Sequence, residues 1–337
     1  MKMTRTHIYL TIAFCLVFAG GIFLGHSVWT NATQIANSQA SQDFSEDGTK
    51  YKFIDPLLFC QDQGQNLSNR GANEIENEVG NYVTQEKNNN DIIDAAFYFR
   101  DLNGGSWALV NPDYQSMPAS LLKVPVAISV YQRAEEDPGF LKSTFTLSKS
   151  IQDMNADQSE HFQAPERVQP NTNYTVEGLV RLMLEDSDNI ALYMLGNMFT
   201  LQELQSAFTH LGIDAPGNGT SGYTMSVKTY ASFFLVLYNA TFLTQNDSEH
   251  VLSLLSQSTF TQGIVAGLPQ GTVVAHKFGE SASPGDPTLQ LNDCGIVYKP
   301  NQPYLICIMT KGTDYDSLAM VISSISKMTY DTVNSSD

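Results

Sequence analysis

The sequence predicts an α+β fold in which an antiparallel β-sheet, built from both ends of the chain, carries flanking helices and an inserted all-α lobe. Two strand-like runs lie early, at 95–101 and 106–111, and three more lie late, at 272–279, 291–298 and 304–310. The residues between these two groups show mainly helical periodicity, and the short loops within each group favour antiparallel pairing.

Composition and charge narrow the possible functions. The chain has 337 residues, 42% hydrophobic and 10% aromatic, which is enough for a normal hydrophobic core. A formal net charge of −17 without a patch of Lys and Arg disfavours a nucleic-acid partner. The six histidines form no His-x-x-x-His pair and there is no Cys-x-x-Cys pair, so we predict no metal and no other cofactor. We expect a monomer.

The N-terminus, residues 1–30, predicts a signal anchor. Lys2 and Arg5 precede an uncharged apolar run from Ile8 to Gly25, and about 20 apolar residues span a bilayer. The alternative is a cleaved signal peptide, whose apolar region is usually about 7–15 residues long. The run is longer than that and no clear small-x-small cleavage site follows it, so we favour the uncleaved anchor.

A linker is predicted to follow the anchor. Residues 31–50 are mainly Ser, Asn, Gln, Ala and acidic residues, a composition typical of a flexible tether. The folded domain is then expected at 51–333, held on the membrane but outside the cytoplasm. Membrane contact is therefore predicted through the anchor alone.

Three cysteines remain outside the apolar run, and disulfides are permitted outside the cytoplasm. Cys60, Cys294 and Cys307 are an odd number, so at most one pair forms within the chain. Cys294 and Cys307 lie on the two strands of a predicted hairpin. Cys60 is equally able to pair with either of them, and three buried free thiols are as compatible with the sequence.

The elements of the domain follow from local patterns. Ile75, Val79 and Val83 recur at helical spacing and predict a first amphipathic helix. Leu102–Gly105 supplies Asn and Gly for a hairpin turn between the first two strands. Further helices are predicted where apolar residues recur with helical period, at 124–133, 176–183, 201–211, 227–238, 249–256 and 316–330.

The stretch 117–125 holds a serine and a lysine three residues apart, Ser120 and Lys123. If a helix begins near Ser120, both side chains lie on one face and can meet. A lysine with a depressed pKa can take the proton of the serine, and the N–H groups at the helix start favour developing negative charge. This predicts a nucleophile with its base. The pattern alone is weak, because Ser324–Lys327 repeats it in a predicted amphipathic helix.

Two further stretches carry polar chemistry. The Ser-Asp-Asn sequence at 187–189 lies in a predicted loop, where its hydroxyl can relay a proton and its amide can hold a carbonyl, although such triplets are more often ordinary caps. The His-Lys-Phe-Gly-Glu sequence at 276–280 lies on a predicted central strand. Lys277 there can bind a carboxylate or lower the pKa of Lys123 by like-charge proximity. Alternatively, it extends along the surface at a strand end.

Read in order, Ser-x-x-Lys, Ser-Asp-Asn and Lys-x-Gly resemble the three motifs of class A β-lactamases and penicillin-binding proteins. The resemblance covers roughly 52–332, and the phrases at 118–123 and 293–298 are similar to that family beyond the bare motifs. The chain is therefore identified as a member of the class A β-lactamase-related, penicillin-recognising serine hydrolases.

That resemblance implies roles for the catalytic residues. Ser120 would be the acylated nucleophile and Lys123 its base, while Ser187 would relay a proton. The oxyanion hole would be formed by the backbone N–H groups of Ser120 and Glu280. The substrate would be a β-lactam or a cell-wall peptide.

The resemblance also implies substrate-binding residues. Asn189 would position the substrate, and Lys277, Phe278 and Gly279 would lie at its carboxylate end. Phe278 replaces the Thr or Ser that is usual in the family, which removes a hydrogen bond to a charged group worth about 1.5–3 kcal/mol. We therefore expect ordinary β-lactams and D-Ala-D-Ala ends to bind weakly. The carboxylate of Glu280 is a possible selector of substrates that bear an amine.

A second departure concerns release of the acyl group. The family's deacylating glutamate has no clear counterpart here. The only carboxylate side chains between Asn189 and Ser232 are those of Glu203 and Asp214. Asp214 is the first candidate to replace it. Loss of a general base costs about 10²–10⁴-fold in rate, so we predict slow hydrolysis of β-lactams. The alternatives are a D-Ala-D-Ala carboxypeptidase of the penicillin-binding type and a non-catalytic sensor with the same fold.

Overall fold

The structure of this protein is a computed structural model. It describes residues 51–56, 69–147, 160–217, 222–282 and 285–335. The predicted anchor, the predicted linker and Cys60 lie outside the described residues. Within those ranges, no helix combines the length and apolar character needed to cross a bilayer.

The sheet has five antiparallel strands from the two ends of the domain. They are β1 (Asp94–Asp101), β2 (Trp107–Val110), β5 (Val274–Ala282), β6 (Leu289–Val297) and β7 (Tyr304–Gly312). Their order is β2-β1-β7-β6-β5, so the chain closes the sheet by pairing β1 with β7. A separate two-stranded ribbon pairs β3 (Thr144–Thr146) with β4 (Asn173–Thr175). The predicted α+β fold is confirmed.

Nine α-helices are described. They are α1 (Asn69–Asn89), α2 (Lys123–Glu136), α3 (Val176–Glu185), α4 (Asn189–Gly196), α5 (Leu201–Leu204), α6 (Ser206–Leu211), α7 (Val227–Tyr238), α8 (Gln245–Leu255) and α9 (Tyr315–Ser335). The predicted helix at 201–211 is in fact two helices that meet at Gln205. It ends as expected at Gly212, whose φ of 65° is the left-handed conformation of a helix C-cap.

The core covers both faces of the sheet. Alternate residues of the central strands, such as Phe97 of β1 and Ile308 of β7, pack in one cluster with apolar residues of α1 and α9. Because successive side chains of a strand point to opposite faces, the intervening residues face the other side, where α7 contacts β1, β6 and β7. The sheet is therefore a buried platform, which explains the nearly continuous apolar runs in its strands.

The position of β5 differs from the sequence prediction. Its Val- and Ala-rich sequence predicted a central strand, but β5 is the edge strand next to β6. It is buried because the turn at 119–122 and helix α8 cover it. The edge of the sheet is therefore placed beside the segment that carries Ser120.

One disulfide links β6 to β7. Cys294 and Cys307 are register partners on these two strands and are bonded to each other. Both are fully buried. Of the pairings that the sequence left open, the structure contains the one within the hairpin.

Candidate active site

Ser120 lies in a single 3₁₀ turn, Ala119–Leu122, which leads directly into α2. Lys123 is the first residue of that helix, so the two side chains are one turn apart and face the same way. Ala119 has a φ of 48°, the left-handed region that costs a non-glycine residue about 1–3 kcal/mol. The backbone immediately before Ser120 is therefore held in an unfavourable conformation by its surroundings.

Three side chains, two of them fully buried, hold this turn and the residue that leads into it. The hydroxyl of Tyr230 on α7 donates to the carbonyl of Leu121 at 2.9 Å. On β6, the amide of Asn292 donates to the carbonyl of Met117 at 2.8 Å, and the side-chain oxygen of Gln290 accepts from the N–H of Met117 at 2.9 Å. The segment is thus fixed to both the sheet and the helical part of the fold.

Gly279 of β5 touches the same turn through its backbone. A Cβ atom on Gly279 would lie 2.6 Å from the carbonyl oxygen of Pro118 and 3.1 Å from the backbone N of Ser120. No side chain fits in that space, so the approach of β5 to Ser120 requires glycine here. The glycine of the Lys-x-Gly motif therefore has a steric role beside Ser120.

The side chain of Lys123 is the centre of a hydrogen-bonded cluster and is 0% exposed. Its Nζ lies 2.8 Å from Oγ of Ser120 and 3.0 Å from Oγ of Ser187. It also donates to the backbone carbonyl of Ser187 and, at 2.7 Å, to Oδ1 of Asn189. The structure thus brings together Ser120, Lys123, Ser187 and Asn189 from two segments that are distant in sequence.

A neutral Lys123 can satisfy its hydrogen-bonding capacity in this arrangement. A neutral lysine has two N–H donors and one lone pair. The carbonyl of Ser187 and Oδ1 of Asn189 can only accept, so they take the two N–H groups. The lone pair is then left for a hydroxyl proton, and the hydroxyls within reach are those of Ser120 and Ser187.

Burial lowers the pKa of Lys123 from its ordinary value of 10.5 to about 8. The charged form loses its hydration in the interior, and this effect outweighs the opposing influence of the carboxylates of Glu160 and Asp188. A substantial fraction of Lys123 is therefore neutral at mildly alkaline pH. That is the form able to act as a general base.

The Ser-Asp-Asn sequence lies at the start of α4, an unpredicted helix. Asp188 caps it, because its Oδ1 accepts the N–H groups of Ile190 and Ala191 at 2.6 and 2.9 Å. Its Oδ2 accepts the N–H of Val168 at 2.7 Å. Ser187 has a φ of 57°, a second left-handed residue at the cluster. The central Asp is thus structural, and it fixes the neighbours on either side.

Lys277 is also 0% exposed, so the alternative of a lysine extended along the surface is wrong. Its Nζ donates to the carbonyl of Phe278 at 3.1 Å and lies 4.2 Å from the centre of the Phe278 ring. Burial and, secondly, the charge of Lys123 lower the pKa of Lys277 well below its ordinary value. The amine of Lys277 is therefore hydrogen-bonded to a carbonyl of its own strand, β5.

The ring of Phe278 belongs to an aromatic cluster. It stacks on Phe260 with ring centres 4.1 Å apart and meets Phe162 edge-on at 6.2 Å. The place of the hydroxyl expected from the family is thus taken by packed rings.

A cleft of about 650 Å³ opens beside Ser120. Of the residues predicted to form the site, Ser120, Asn189 and Glu280 line it. The other predicted site residues are not among its described lining residues: Lys123, Ser187, Lys277, Phe278 and Gly279. Within the described part of the chain, no group of three His, Cys, Asp or Glu residues could hold a metal ion.

Neither of the two carboxylates considered from the sequence as the deacylating base lines the cleft. Glu203 caps α5 by accepting the N–H of Thr200 at 2.6 Å, and it is absent from the described cleft lining, as is Asp214. Glu160 and Glu280 line the cleft instead. Glu160 precedes the Ser-Asp-Asn motif, whereas the family's glutamate follows it, so the order of motifs gave no signal for this residue.

Glu160 is connected to the hydrogen-bonded cluster around Lys123. Its Oε1 accepts the side-chain N–H of Asn189 at 3.0 Å, and its Oε2 pairs with Arg167 at 2.9 Å. Asn189 therefore links Glu160 to Lys123 through its two side-chain atoms.

The carboxylate of Glu280 holds the neighbouring backbone rather than facing open solvent. Its two oxygens accept the N–H groups of His161 and Phe162, at 2.6 and 3.3 Å. Together with Glu160, this segment forms a bridge from β5 to the start of α4. The carboxylate of Glu280, predicted to select substrates that bear an amine, is thus already hydrogen-bonded to the backbone. Burial raises the pKa of Glu280 above its ordinary value.

The comparison with family models decides the family. The model described as the Beta-lactamase enzyme family matches residues 74–333. The chain belongs to the β-lactamase enzyme family. The predicted membership among penicillin-recognising serine hydrolases is thereby confirmed, and the matched span contains every member of the hydrogen-bonded cluster.

Known members of this family and related folds are similar over most of the domain. The β-lactamase VEB-1 of Pseudomonas aeruginosa is 24% identical over 241 residues, covering 66% of this chain and 79% of that protein. A class A β-lactamase of Bacteroides cellulosilyticus has a TM-score of 0.63 at 17% identity, covering 77% and 99%. A PBP-A variant, described as an acyl-enzyme complex with penicillin G, has a TM-score of 0.63 at 23% identity, covering 78% and 97%. At these identities the structural matches establish the fold.

Proposed function

We propose that this protein is a serine hydrolase that is acylated at Ser120 and that it reacts with β-lactams and releases them slowly. One observation carries the proposal: the amine of the fully buried Lys123 lies 2.8 Å from the hydroxyl oxygen of Ser120. Burial keeps part of this lysine neutral, so it is equipped to take the serine proton. The acyl-enzyme complex of the similarly folded PBP-A variant supports the same chemistry.

Acylation follows from the cluster. Neutral Lys123 accepts the proton of Ser120 as Oγ attacks the carbonyl carbon of the substrate. The backbone N–H groups of Ser120 and Glu280 stabilise the tetrahedral oxyanion. The hydroxyl of Ser187, 3.0 Å from the amine, passes the proton on to the leaving nitrogen. The C–N bond then breaks and the acyl group remains on Ser120.

Deacylation needs a base for water, and we assign it to Glu160. This carboxylate lines the cleft with Ser120 and is hydrogen-bonded to Asn189, one residue away from Lys123 in the network. The ion pair with Arg167 occupies one of its oxygens and orients the other towards the cluster. Because its position differs from that of the family's glutamate, we expect release to be slow.

A penicillin-binding enzyme acting on cell-wall peptides is the second candidate. The surroundings of Glu160 favour this candidate. Both oxygens of Glu160 already have partners, so a water must compete for one of them before it can be activated. A long-lived acyl-enzyme would result. The intact cluster around Lys123 argues against a purely non-catalytic sensor.

We also propose that the domain acts outside the cytoplasm and is attached to the membrane by its N-terminal anchor. We expect it to be a monomer. The uncharged run from Ile8 to Gly25, preceded by Lys2 and Arg5, supports the anchor. The buried disulfide between Cys294 and Cys307 supports an oxidising compartment.

The test is labelling with a fluorescent penicillin and with a fluorophosphonate. We expect both probes to label the wild-type protein, and Ser120→Ala and Lys123→Met to abolish labelling. Fluorophosphonate labelling without penicillin labelling would remove the β-lactam part and leave the serine hydrolase. No labelling by either probe would contradict the proposal.

A further inference from the structure

We propose that the cleft beside Ser120 is an acyl-binding pocket for uncharged apolar groups, and that the enzyme hydrolyses neutral esters of medium-chain acids. This inference rests on the proposed acylation of Ser120 and names the substrate class of that site. It follows from three features of the cleft: its apolar wall, the carboxylates that line it, and the burial of Lys277 behind Phe278.

The wall of the cleft is apolar. It contains six side chains from the Ser120 turn and from α2, α4, α5 and α6: Leu122, Val126, Leu192, Leu201, Leu204 and Phe208. Four different helices contribute, so the tertiary fold collects these residues around the nucleophile. Leu201 remains 40% exposed, although it is a large hydrophobic residue. Apolar surface that faces a cleft and a nucleophile is typical of a ligand pocket.

The polar side of the cleft repels anions. Its described lining includes the carboxylates of Glu160 and Glu280 and contains no lysine or arginine. Arg167 is already paired with Glu160 at 2.9 Å, so the cleft offers no free cation to a substrate with a negative group. Such a group would also be repelled by the carboxylate of Glu280, which disfavours binding. A neutral substrate avoids that penalty.

The cation that would attract a substrate carboxylate is unavailable. Lys277 is fully buried, donates to the carbonyl of Phe278 and lies under the Phe278 ring. Burial and nearby Lys123 disfavour its charged form. The stack of Phe278 on Phe260 and the contact with Phe162 close this end of the site. The space open to an acyl group on Ser120 is therefore the part of the cleft along the apolar wall.

The reaction is ordinary acyl transfer to water. Oγ of Ser120 attacks the ester carbonyl, a C–O bond to the enzyme forms, and the ester C–O bond breaks. The serine proton passes through Lys123 to the departing oxygen. Water then cleaves the acyl-enzyme and gives a carboxylic acid and free Ser120. The apolar chain of the acyl group lies along the wall during both steps.

The experiment compares kcat/KM for p-nitrophenyl esters from acetate to octanoate with the full protein. Each buried methylene favours binding by about fourfold, so we expect octanoate to exceed acetate by about 100-fold or more. The p-nitrophenyl monoester of adipic acid has a carboxylate at the end of a six-carbon chain. It should react about tenfold or more slowly than the neutral hexanoate.

Variants test the wall itself. Leu201→Ser and Leu204→Ser should each lower the octanoate-to-acetate ratio by about tenfold. Met320→Ser is the matched control, because Met320 is 62% exposed and is absent from the cleft lining. It should leave the ratio unchanged. Ser120→Ala should abolish turnover of every ester.

The failures are distinguishable. If fluorophosphonate labels Ser120 but octanoate and acetate react equally, or adipate reacts as fast as hexanoate, the acyl-pocket inference is overturned and the serine hydrolase stands. Ester turnover that persists in Ser120→Ala also overturns it. If no probe labels Ser120, both the inference and the proposed function fail.

Discussion

The amine of Lys123 lies 2.7 Å from Oδ1 of Asn189, a contact that joins α2, the helix after Ser120, to the start of α4. The other side-chain atom of Asn189 donates to Glu160 at 3.0 Å. This asparagine therefore connects Lys123, the proposed base of Ser120, to the carboxylate of Glu160 in the cleft. Changes at any of the three residues should alter the chemistry of Ser120 in different, measurable ways.

Acylation of Ser120 should increase with pH around pH 8. The pKa of Lys123 is lowered to about 8, and only its neutral form accepts a proton, so at pH 6 only about 1% of it is active. The rate of fluorophosphonate labelling should rise about tenfold per pH unit up to this value and then level off. Lys123→Met should lose about 10²–10⁴ in rate, whereas Lys228→Met, on an exposed lysine, should not. A wild-type profile that is flat from pH 6 to about pH 9 would contradict the assignment.

Asn189→Asp should move that pH profile upwards. A carboxylate at the contact with Lys123 favours the charged lysine, and an opposite charge at this range shifts a pKa by about 1–3 units. Labelling at pH 7 should fall while labelling at pH 10 recovers. Asn197→Asp, at the other end of α4, is the matched control and should leave the midpoint in place. An unshifted midpoint in Asn189→Asp would show that Lys123 is not the titrating base.

Glu160→Gln should trap the acyl-enzyme. Gln keeps the shape but cannot accept a proton from water, so deacylation should slow by about 10²–10⁴-fold while acylation persists. Intact mass after quenching measures the trapped fraction. Glu166→Gln, at an exposed ion pair with Arg181, and Glu203→Gln serve as controls. If Glu203→Gln traps the adduct and Glu160→Gln does not, the roles of the two residues are reversed.

Gly279→Ala should damage both stability and acylation. The added Cβ would overlap the carbonyl of Pro118 and press on the backbone of Ser120, and overpacking of this kind costs about 1–3 kcal/mol. Thermal unfolding and labelling rate should both decrease. Gly196→Ala places a Cβ where nothing lies within 4 Å, and should leave both values near those of the wild type. Normal labelling of Gly279→Ala would show that β5 is free to move away.

Reduction of the hairpin disulfide should lower stability without changing the reactive cluster. Cys294 and Cys307 enclose a short loop, and a crosslink of this size contributes about 2–4 kcal/mol, largely by restricting the unfolded chain. Cys294→Ala should lower the midpoint of thermal unfolding accordingly. Cys307→Ala should give the same decrease. Unequal decreases would point to a different partner for one of the two cysteines.

Local patterns predicted much of the fold. Strand and helix periodicities are strong for long segments such as α1 and β7, and the pairing of both chain ends follows from the placement of strands. The edge position of β5 was missed, because its apolar sequence reflects cover by helix α8 and by the turn at 119–122 as well as pairing with β6. The start of α4 was missed because its cap, Asp188, also fits an ordinary polar turn.

The site was predictable only in part for a similar reason. Ser120, Lys123, Ser187 and Asn189 are identified by the resemblance of their motifs, read in order, to those of the family, and the structure brings them together. Glu160 carries no local signal, since its place beside Asn189 depends on the path of a segment between distant elements. The burial of Lys277 beneath the ring of Phe278 is likewise set by tertiary packing, which local sequence patterns do not show.

The most direct test of the central claim is an intact-mass time course with benzylpenicillin, followed by peptide mapping of the adduct. We expect one penicilloyl group per protein, located on Ser120, that disappears slowly after excess drug is removed, and no adduct in Ser120→Ala. An adduct on another residue, or one that persists in Ser120→Ala, would contradict the assignment of Ser120 as the nucleophile.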